Sequence, residues 1–291
     1  FSNVGLLQGF QLNERWTLDI GVDQVDTLLE DEAGMFDPDR ELVSGSLAED
    51  FTAAFAGAMY SADGWSANSR FEHRKSDSEK RNSLLFGWYR EPQAGHGLSA
   101  ALTAMSSDQV TGDELLTTDL RFGWAWRPSG SAWSFLNRAD LVVEEANIGN
   151  EELSRWRIVN NFSANRRIGA GSQLSLQYAA KYVRDRFDEN TFSGYTDLIG
   201  IDLRHGIRGQ WDVGMSLSAL QSYRADTADY SVGADVGYLL RDNIWVTLGY
   251  NVAGFYDQDF AEARYTAKGP YLRFSIKSSG QILRRIAGQL R

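Results

Sequence analysis

The stretch Asn243-Ile-Trp-Val-Thr-Leu-Gly-Tyr-Asn-Val-Ala-Gly254 alternates strictly between two kinds of side chain. Its even-numbered residues, from Ile244 to Val252, are apolar or aromatic, whereas its odd-numbered residues include Thr247 and Asn251. Successive side chains of a β-strand point to opposite faces, so this period of two predicts a strand with one apolar face. The rest of the chain has to be explained together with that strand.

The same alternation recurs from one end of the chain to the other. It predicts about 15 strands, most of them far longer than the roughly 5 or 6 residues usual in soluble sheets. The predicted strands cover residues 4–12, 15–26, 51–60, 65–74, 84–90, 98–106, 115–126, 133–143, 154–165, 173–184, 195–205, 211–222, 230–240, 244–255 and 265–277. No helical pattern of comparable length precedes residue 278.

Composition excludes several classes of function. The 291 residues carry a net charge of -10, which argues against a nucleic-acid partner because phosphate binding needs a basic surface. The absence of Cys removes disulfides, thiolate metal sites and Cys nucleophiles. No motif for a cofactor is present, and no apolar run reaches the roughly 18 to 20 residues of a spanning helix. The 28 Gly and 9 Trp suit an all-β chain with many tight turns.

The face opposite the apolar one is crowded in mid-strand with small and charged residues, which suits a water-filled lumen. The charges that we expect to face this lumen are Arg70, Glu72, Asp119, Arg121, Arg138, Asp140, Arg155, Arg157, Asp202, Arg204 and Asp235. A soluble β-sandwich or lipocalin-like barrel also alternates, but its apolar face would be a core. Acid and base two residues apart on one strand favour pairing networks, and four such pairs occur: Arg70 and Glu72, Asp119 and Arg121, Arg138 and Asp140, and Asp202 and Arg204. Whether the lumen conducts or is sealed by such pairs stays open.

Tryptophans recur close to the short turns, where transmembrane barrels place aromatic girdles at the lipid headgroups. The expected girdle residues are Trp16, Trp65, Trp133, Trp211 and Trp245. Strands of this length also match the roughly 9 to 11 residues that cross a bilayer at a tilt. The sequence therefore predicts an all-β, transmembrane antiparallel up-and-down β-barrel over residues 1–277.

Short turns alternate with longer, acidic connections such as residues 27–50. Bacterial barrels have short periplasmic turns, long external loops and an even number of strands. This topology predicts acidic loops outside the cell and a periplasmic C-terminus. It also predicts an additional strand upstream, which makes 16 in the complete barrel, although 14 is an alternative. The chain is accordingly expected to be the C-terminal part of a longer polypeptide.

Several segments carry a resemblance to a known group of proteins. They are Gly249-Tyr-Asn-Val-Ala-Gly-Phe-Tyr-Asp-Gln-Asp-Phe260, Tyr265-Thr-Ala-Lys-Gly-Pro-Tyr-Leu-Arg-Phe274, Arg157-Ile-Val-Asn-Asn161, Gln177-Tyr-Ala-Ala-Lys-Tyr-Val183 and Ser193-Gly-Tyr-Thr-Asp-Leu198. The chain resembles the C-terminal outer-membrane β-barrel domains of very large Gram-negative surface proteins. The resemblance implies an outer-membrane anchor for an upstream portion of the same polypeptide, with outer-membrane lipid and lipopolysaccharide as surroundings.

The last predicted strand is similar to the signal read by the barrel-assembly machinery. Gly269 is followed by Leu272, Phe274 and Ile276, which alternate with Arg273 and other polar residues. The chain departs from the usual signal because it does not stop at an aromatic residue. Residues 278–291 place apolar side chains at helical spacing among arginines, which indicates a basic amphipathic periplasmic tail or a frayed terminus.

Residues suited to catalysis or metal binding are sparse. His73, His96 and His205 fall in separate strands or turns and match no ligand or triad spacing, so structural or solvated roles are favoured. Asp37, Asp39 and Glu41 alternate as weak candidates for Ca²⁺ but lack the glycine and the distal Glu of an EF-hand loop.

The sequence thus predicts a non-enzymatic outer-membrane barrel that anchors or displays an attached larger region. A porin-like passive channel for small solutes or ions is the first alternative. An outer-membrane hydrolase is the second and less favoured alternative, because it would need a clustered His with Ser or Asp near one rim.

Overall fold

A computed structural model describes residues 2–26, 50–169, 171–241, 244–255, 260 and 268–276. These residues form one antiparallel sheet of 15 strands in which neighbours in sequence are neighbours in space. The strands are β1 (Ser2–Gln11), β2 (Trp16–Asp26), β3 (Phe51–Ala62), β4 (Trp65–Ser76), β5 (Glu79–Gln93), β6 (His96–Gln109), β7 (Glu114–Trp126), β8 (Trp133–Ile148), β9 (Glu151–Ile168), β10 (Ser172–Phe187), β11 (Asn190–Arg208), β12 (Trp211–Ser222), β13 (Thr227–Arg241), β14 (Ile244–Ala253) and β15 (Gly269–Ile276).

Each strand expected from the alternation is present, which confirms the all-β, up-and-down fold. Among the described residues, no helix is long and apolar enough to cross a membrane. The order ends at β1 on one side and β15 on the other, so these are edge strands and the described sheet is not closed.

The middle strands are longer than the sequence indicated. The strands β8, β9, β10 and β11 contain 16, 18, 16 and 19 residues. Only residues 77–78, 149–150 and 188–189 separate β4 from β5, β8 from β9 and β10 from β11. The predicted strands are therefore too short at all three places, and the longer connections expected between β8 and β9 and between β10 and β11 are wrong. The residues there are charged and polar, but they continue the ladder, as in the pairing of Lys75 with Lys80.

Tight turns at two of these places rely on the left-handed backbone region. Gly149 has a φ of 62° and Asp188 a φ of 49°. Glycine enters this region without steric cost, and aspartate tolerates it better than most residues. The backbone N–H of Asp188 donates to the carbonyl of Glu152, and the Asp188 carboxylate accepts from the Glu152 N–H, which holds the turn against β9.

The chain forms two compact units, which are described separately. Unit 1 comprises Phe1–Ala125, Arg138–Ile158 and Tyr182–Ser193, and unit 2 comprises Trp126–Asn137, Val159–Lys181 and Gly194–Arg291. Because partners across an antiparallel ladder share a face, the registers sort the side chains of each unit onto two faces.

In unit 1, one face is apolar and strongly exposed. Phe71 pairs with Ala56 on β3 and with Leu84 on β5, and Ala56 in turn pairs with Ile20 on β2. The exposed members of this apolar face include Val4, Leu6, Phe10, Ile20, Val22, Phe71, Leu84 and Phe86. The polar face contains Asp19, Arg70, Glu72 and Arg81, while Phe55 fills space above Gly21.

Unit 2 has the same division. Asp202 pairs with Ser216, which pairs with Gly233, and Asn251 lies opposite Gly233 on β14. The other face carries Ile201, Leu203, Met215, Val236, Leu248, Leu272 and Phe274, all of them exposed. The apolar face of each unit therefore lies outside any protein core that the structure describes.

The register of the hairpin that decides the fold can be tested by cross-linking. Leu248 lies directly opposite Leu272, whereas Phe274 is two residues further along β15. Since the chain has no Cys, Leu248→Cys combined with Leu272→Cys places two thiols at a separation of about 5 Å, close to disulfide geometry. We expect rapid oxidation, read as a mobility shift on non-reducing gels. Equally rapid oxidation of the Leu248→Cys, Phe274→Cys pair would contradict the register.

Candidate functional site

Ion pairs line the polar face of unit 1 along the strands. The Arg70 guanidinium donates to Glu72 at 3.1 Å, Arg138 donates to Asp140 at 2.8 Å, and Arg121 forms a bidentate pair with Asp119. In each case acid and base are two residues apart on one strand, so alternation places both on the same face. These are three of the four pairs that the spacing along one strand predicted.

A wider network joins β8, β9 and β10 on this face. The Nε atom of Arg155 lies 2.9 Å from Asp185, and its Nη1 atom lies 3.4 Å from Glu144. Arg157 lies two residues further along β9 and shares the face of Arg155. The Arg155 charge is thus compensated by carboxylates on the two neighbouring strands, which holds these strands in register as well as balancing the charge.

One carboxylate organises the polar face of unit 2. The Asp235 side chain is only 8% exposed and accepts a hydrogen bond from Arg204 at 2.7 Å. The Tyr271 hydroxyl donates to Asp235 at 3.0 Å, and the Arg273 guanidinium lies 3.7 Å away. Arg204 also pairs with Asp212. Five side chains from β11, β12, β13 and β15 therefore share one network around Asp235.

This network differs from the predicted pairing of Asp202 with Arg204. Asp202 accepts a hydrogen bond from the Gln177 amide at 3.1 Å, while Arg204 pairs with Asp212 and Asp235 on the strands that follow. The reason is that Gly214 lies opposite Arg204 and has no side chain, so the guanidinium passes over it to Asp235. A cross-strand gap of this kind is invisible to spacing along one strand.

Glycines on the polar face make room for the large side chains opposite them. Gly249 pairs with Tyr271, and a Cβ atom at Gly249 would collide with the Tyr271 ring. The ring covers the glycine and thereby reaches Asp235, which is the arrangement by which aromatic residues compensate for glycine in a sheet. A side chain at position 249 would displace the phenol from the network, and replacement of Tyr271 would remove it.

A polar cavity of about 320 Å³ adjoins this network in unit 2. Its wall includes Asp202, Arg204, Asn251, Tyr271 and several serines. The wall offers hydroxyl, amide and charged groups but, among the described residues, no cluster of three or more acidic or histidine side chains that could hold a metal ion.

An apolar cluster interrupts the polar face of the same unit. Phe260 is fully buried and packs with Phe255 on three residues of the wall, Val159, Ala179 and Leu198. The Lys181 ammonium lies 5.2 Å from the centre of the Phe260 ring. Both phenylalanines follow β14 and lie on the polar face of the sheet. The isolated Phe260 between acidic residues is the signal in the sequence that could have indicated this contact.

Aromatic contacts border the apolar face beside the turns that follow β1, β3, β7 and β11. In unit 1 the Tyr60 ring lies 4.9 Å from Trp16 and 4.2 Å from Trp65 between ring centres. In unit 2 the Trp211 and Tyr238 centres are 4.7 Å apart, and Phe135 stacks with Trp126, Trp133 and Phe162. The expected positions of Trp16, Trp65, Trp133 and Trp211 on the apolar face agree with these contacts.

Trp245 occupies the opposite face, so its assignment to the girdle is wrong. It pairs with Ser275 and stands two residues before Thr247, which pairs with Arg273 on the polar face. The assignment rested on closeness to a turn, whereas the parity of the strand decides the face.

Further aromatic residues lie at the other end of the strands in unit 2. The Tyr178 and Tyr195 hydroxyls are 3.2 Å apart, and Tyr223, in the turn after β12, donates to Asp197 at 3.2 Å. The negative charge of Asp197 raises the pKa of Tyr223, with loss of hydration as a second cause. The phenol therefore remains a neutral hydrogen-bond donor well above neutral pH.

The remaining predicted residues are placed as follows. Leu272 and Phe274 of the proposed assembly signal are exposed on the apolar face, Ile276 pairs with Ile244, and Gly269 begins β15 opposite Asn251. Asp37, Asp39 and Glu41, as well as the tail 278–291, lie outside the described residues.

The histidines are dispersed. His73 shares a hydrogen bond of 2.8 Å with Asn82, and the His205 Nδ1 atom lies 2.8 Å from the Ser172 hydroxyl. A serine hydrolase needs a third group that orients the imidazole. No carboxylate lies within ion-pair distance of His205 among the described residues, so this pair alone does not make a triad.

Neither a family model nor a curated protein sequence matches the chain. Among solved structures, the siderophore receptor PirA from Acinetobacter baumannii matches with a TM-score of 0.52 and 9% identity, over 70% of this chain and 40% of the receptor. The chain therefore spans well under half the length of that receptor. OmpT, an outer membrane protein of Vibrio cholerae, aligns over 96% of both chains with a TM-score of 0.36 and 7% identity. The likeness to the receptor shows that the fold is that of outer-membrane β-barrels.

The Asp235 network predicts a clear difference between two carboxylates. Asp235→Asn removes the charge that three side chains share in a buried position and should lower the free energy of unfolding by about 2 kcal/mol. Asp119→Asn is the matched control, because its partner Arg121 is well exposed and such a pair contributes less than about 1 kcal/mol. Urea unfolding in detergent micelles, followed by tryptophan fluorescence, measures both. Equal losses would contradict the central role of Asp235.

Proposed function

We propose that this chain is an integral β-barrel of the Gram-negative outer membrane that anchors or displays an attached larger region and has no enzymatic activity. One observation carries the proposal: each unit exposes an apolar face, with Leu6 75% and Phe274 66% exposed, and keeps its mid-strand ion pairs, such as Arg70–Glu72 and Arg204–Asp235, on the other face. Exposed apolar surfaces that extend over several strands mark contact with protein or membrane. Aromatic borders beside the short turns favour the membrane.

Closure of the barrel is part of the proposal. In an up-and-down sheet of 15 strands, β1 and β15 run in the same direction, so direct pairing of the two would be parallel. One further strand, antiparallel to both, would give the even number usual in bacterial barrels. The upstream portion of the same polypeptide is the proposed source. Residues Asn3 to Gln11 of β1 are exposed on both faces, as expected for an edge strand that has a neighbour on one side only.

Orientation follows from the connections. The longest connection, residues 27–50, joins β2 to β3. We place this connection and the strand ends beside it outside the cell, and the turns after β1 and β3 and the C-terminus in the periplasm, because bacterial barrels have their long loops outside. In this orientation the polypeptide would be inserted by the barrel-assembly machinery, with Leu272 and Phe274 of β15 facing lipid.

The polar face supports anchoring over conduction. Its charges are compensated in pairs, and Phe255 and Phe260 cover part of the wall with apolar surface. A porin-like passive channel is the second candidate, and the polar cavity of about 320 Å³ in unit 2 favours it. The two functions differ in whether ions pass, because unpaired charges lining water would set ion selectivity.

Membrane insertion can be tested with two adjacent residues of β15. Phe274→Arg places a charge on the lipid-facing side of β15, two residues from the end of the strand, at a cost between the roughly 0 to 1 kcal/mol of the interface and the roughly 2 to 4 kcal/mol of the midplane. Ser275→Arg places the same charge on the polar face and should be tolerated. The folded fraction, read as heat-modifiable mobility after extraction from outer membranes, should fall only for Phe274→Arg. A soluble protein would show no such asymmetry between lipid-exposed and polar positions.

Conductance separates the anchor from the channel. If the chain is an anchor, a planar bilayer that contains the full polypeptide should have a conductance close to that of the bare membrane. Discrete steps whose cation preference changes in Asp202→Asn would establish the channel. A Phe274→Arg preparation, from which less folded protein should insert, is the control for leaks caused by contaminating protein.

A further inference from the structure

A second cavity, of about 400 Å³, lies where β8, β9 and β10 reach their far ends in unit 1. Its lining includes Glu145, Glu152, Trp156, Arg184 and Arg186. Arg155 and Asp185 pair with each other on the polar face. Their neighbours Trp156, Arg184 and Arg186 therefore point to the apolar face, which is the face that the proposed function turns towards lipid.

The position along β10 sets the depth of this cavity in the membrane. Arg184 lies 12 residues beyond Ser172, the first residue of the strand. A tilted strand crosses the hydrocarbon core with about 9 to 11 residues. Tyr182 lies at the end of that span and is exposed. Arg184 and Arg186 thus come immediately after the lipid-facing segment, at the level of the headgroups.

The charges of this cavity suit an anionic group. The Arg186 guanidinium lies 3.1 Å from Glu152, which neutralises one of the two cations. Within the part of the chain that the structure describes, no carboxylate lies within 4.0 Å of the Arg184 guanidinium. Trp156 is 46% exposed beside it. At a membrane boundary, the ring of a tryptophan tolerates acyl chains, and the guanidinium of a neighbouring arginine donates hydrogen bonds to phosphate.

We propose that Arg184, Arg186 and Trp156 form a binding site for the phosphate of a phosphorylated lipid in the outer leaflet. The guanidinium of Arg184 binds the phosphate oxygens, Arg186 adds long-range attraction, and Trp156 packs against the start of the acyl chains. Glu145 in the same lining is compatible with a phosphate when a divalent cation lies between them, because such cations bind carboxylate and phosphate oxygens together. The inference rests on the proposed membrane function.

Lipopolysaccharide is the probe for this site. The full polypeptide, folded in detergent, is titrated with purified lipopolysaccharide, and binding is followed by the change in tryptophan fluorescence and by the lipid phosphate that co-purifies. Arg184→Ala combined with Arg186→Ala should weaken binding about ten-fold or more, since each basic residue near an anionic surface contributes appreciably. Removal of divalent cations with EDTA should weaken binding to the unchanged protein.

Arg90→Ala is the matched control. Arg90 pairs across the ladder with Trp65, so it shares the apolar face, but it lies beside the short turns at the opposite end of the strands. Its loss should change lipopolysaccharide binding less than two-fold. Inorganic phosphate and vesicles of phosphatidylglycerol form two further arms. Competition by millimolar inorganic phosphate as effective as that by lipopolysaccharide would show a free-anion site and overturn the proposal.

The outcomes separate the two levels of inference. If the unchanged polypeptide does not insert into vesicles, the proposed function fails. If the unchanged and double-variant proteins insert equally and retain equal amounts of lipopolysaccharide, only the lipid site is refuted. Retention lost in the double variant and kept in Arg90→Ala supports it.

Discussion

The antiparallel register is the constraint on which the structure depends. Each backbone pair fixes which face its two side chains share, so a slip of one residue would exchange the lipid-compatible and charged faces along an entire strand. The cost of such a slip is large here because both faces are specialised. Arg204 would lose Asp212 and Asp235, and Leu203 would replace it on a face lined by charge.

Complementary sizes across the ladder reinforce that register. The polar face alternates large side chains with glycine on the neighbouring strand: Tyr271 against Gly249, Asp19 against Gly57 and Phe55 against Gly21. Each large group occupies the volume that the glycine leaves. Any other register would bring two large side chains together or leave a gap, so packing on this face selects the same alignment as hydrophobicity does on the other.

The strands could be predicted from the sequence because alternation is a local property with a period of two. The pairs Arg70–Glu72, Arg121–Asp119 and Arg138–Asp140 were accessible for the same reason, since both partners lie on one strand. Arg204 shows the limit, because its partners lie on β12 and β13 and the reach depends on Gly214 between them. Phe260 is similar: its burial depends on a wall built from β9, β10 and β11. Strand ends were underestimated where charged residues such as Glu152 and Arg186 pair across strands, because polarity alone resembles a loop.

In the proposed orientation, the two-residue turns after β8 and β10 lie outside the cell, beyond the lipid surface. β9 and β11, at about 3.3 Å per residue, extend for about 60 Å, roughly twice the hydrocarbon thickness. The excess is ordered ladder, so its conformational entropy has already been lost on folding. A short peptide epitope grafted at residues 149–150 would be held by paired strands on both sides, at a fixed height and orientation, and an antibody would bind it without having to order it first.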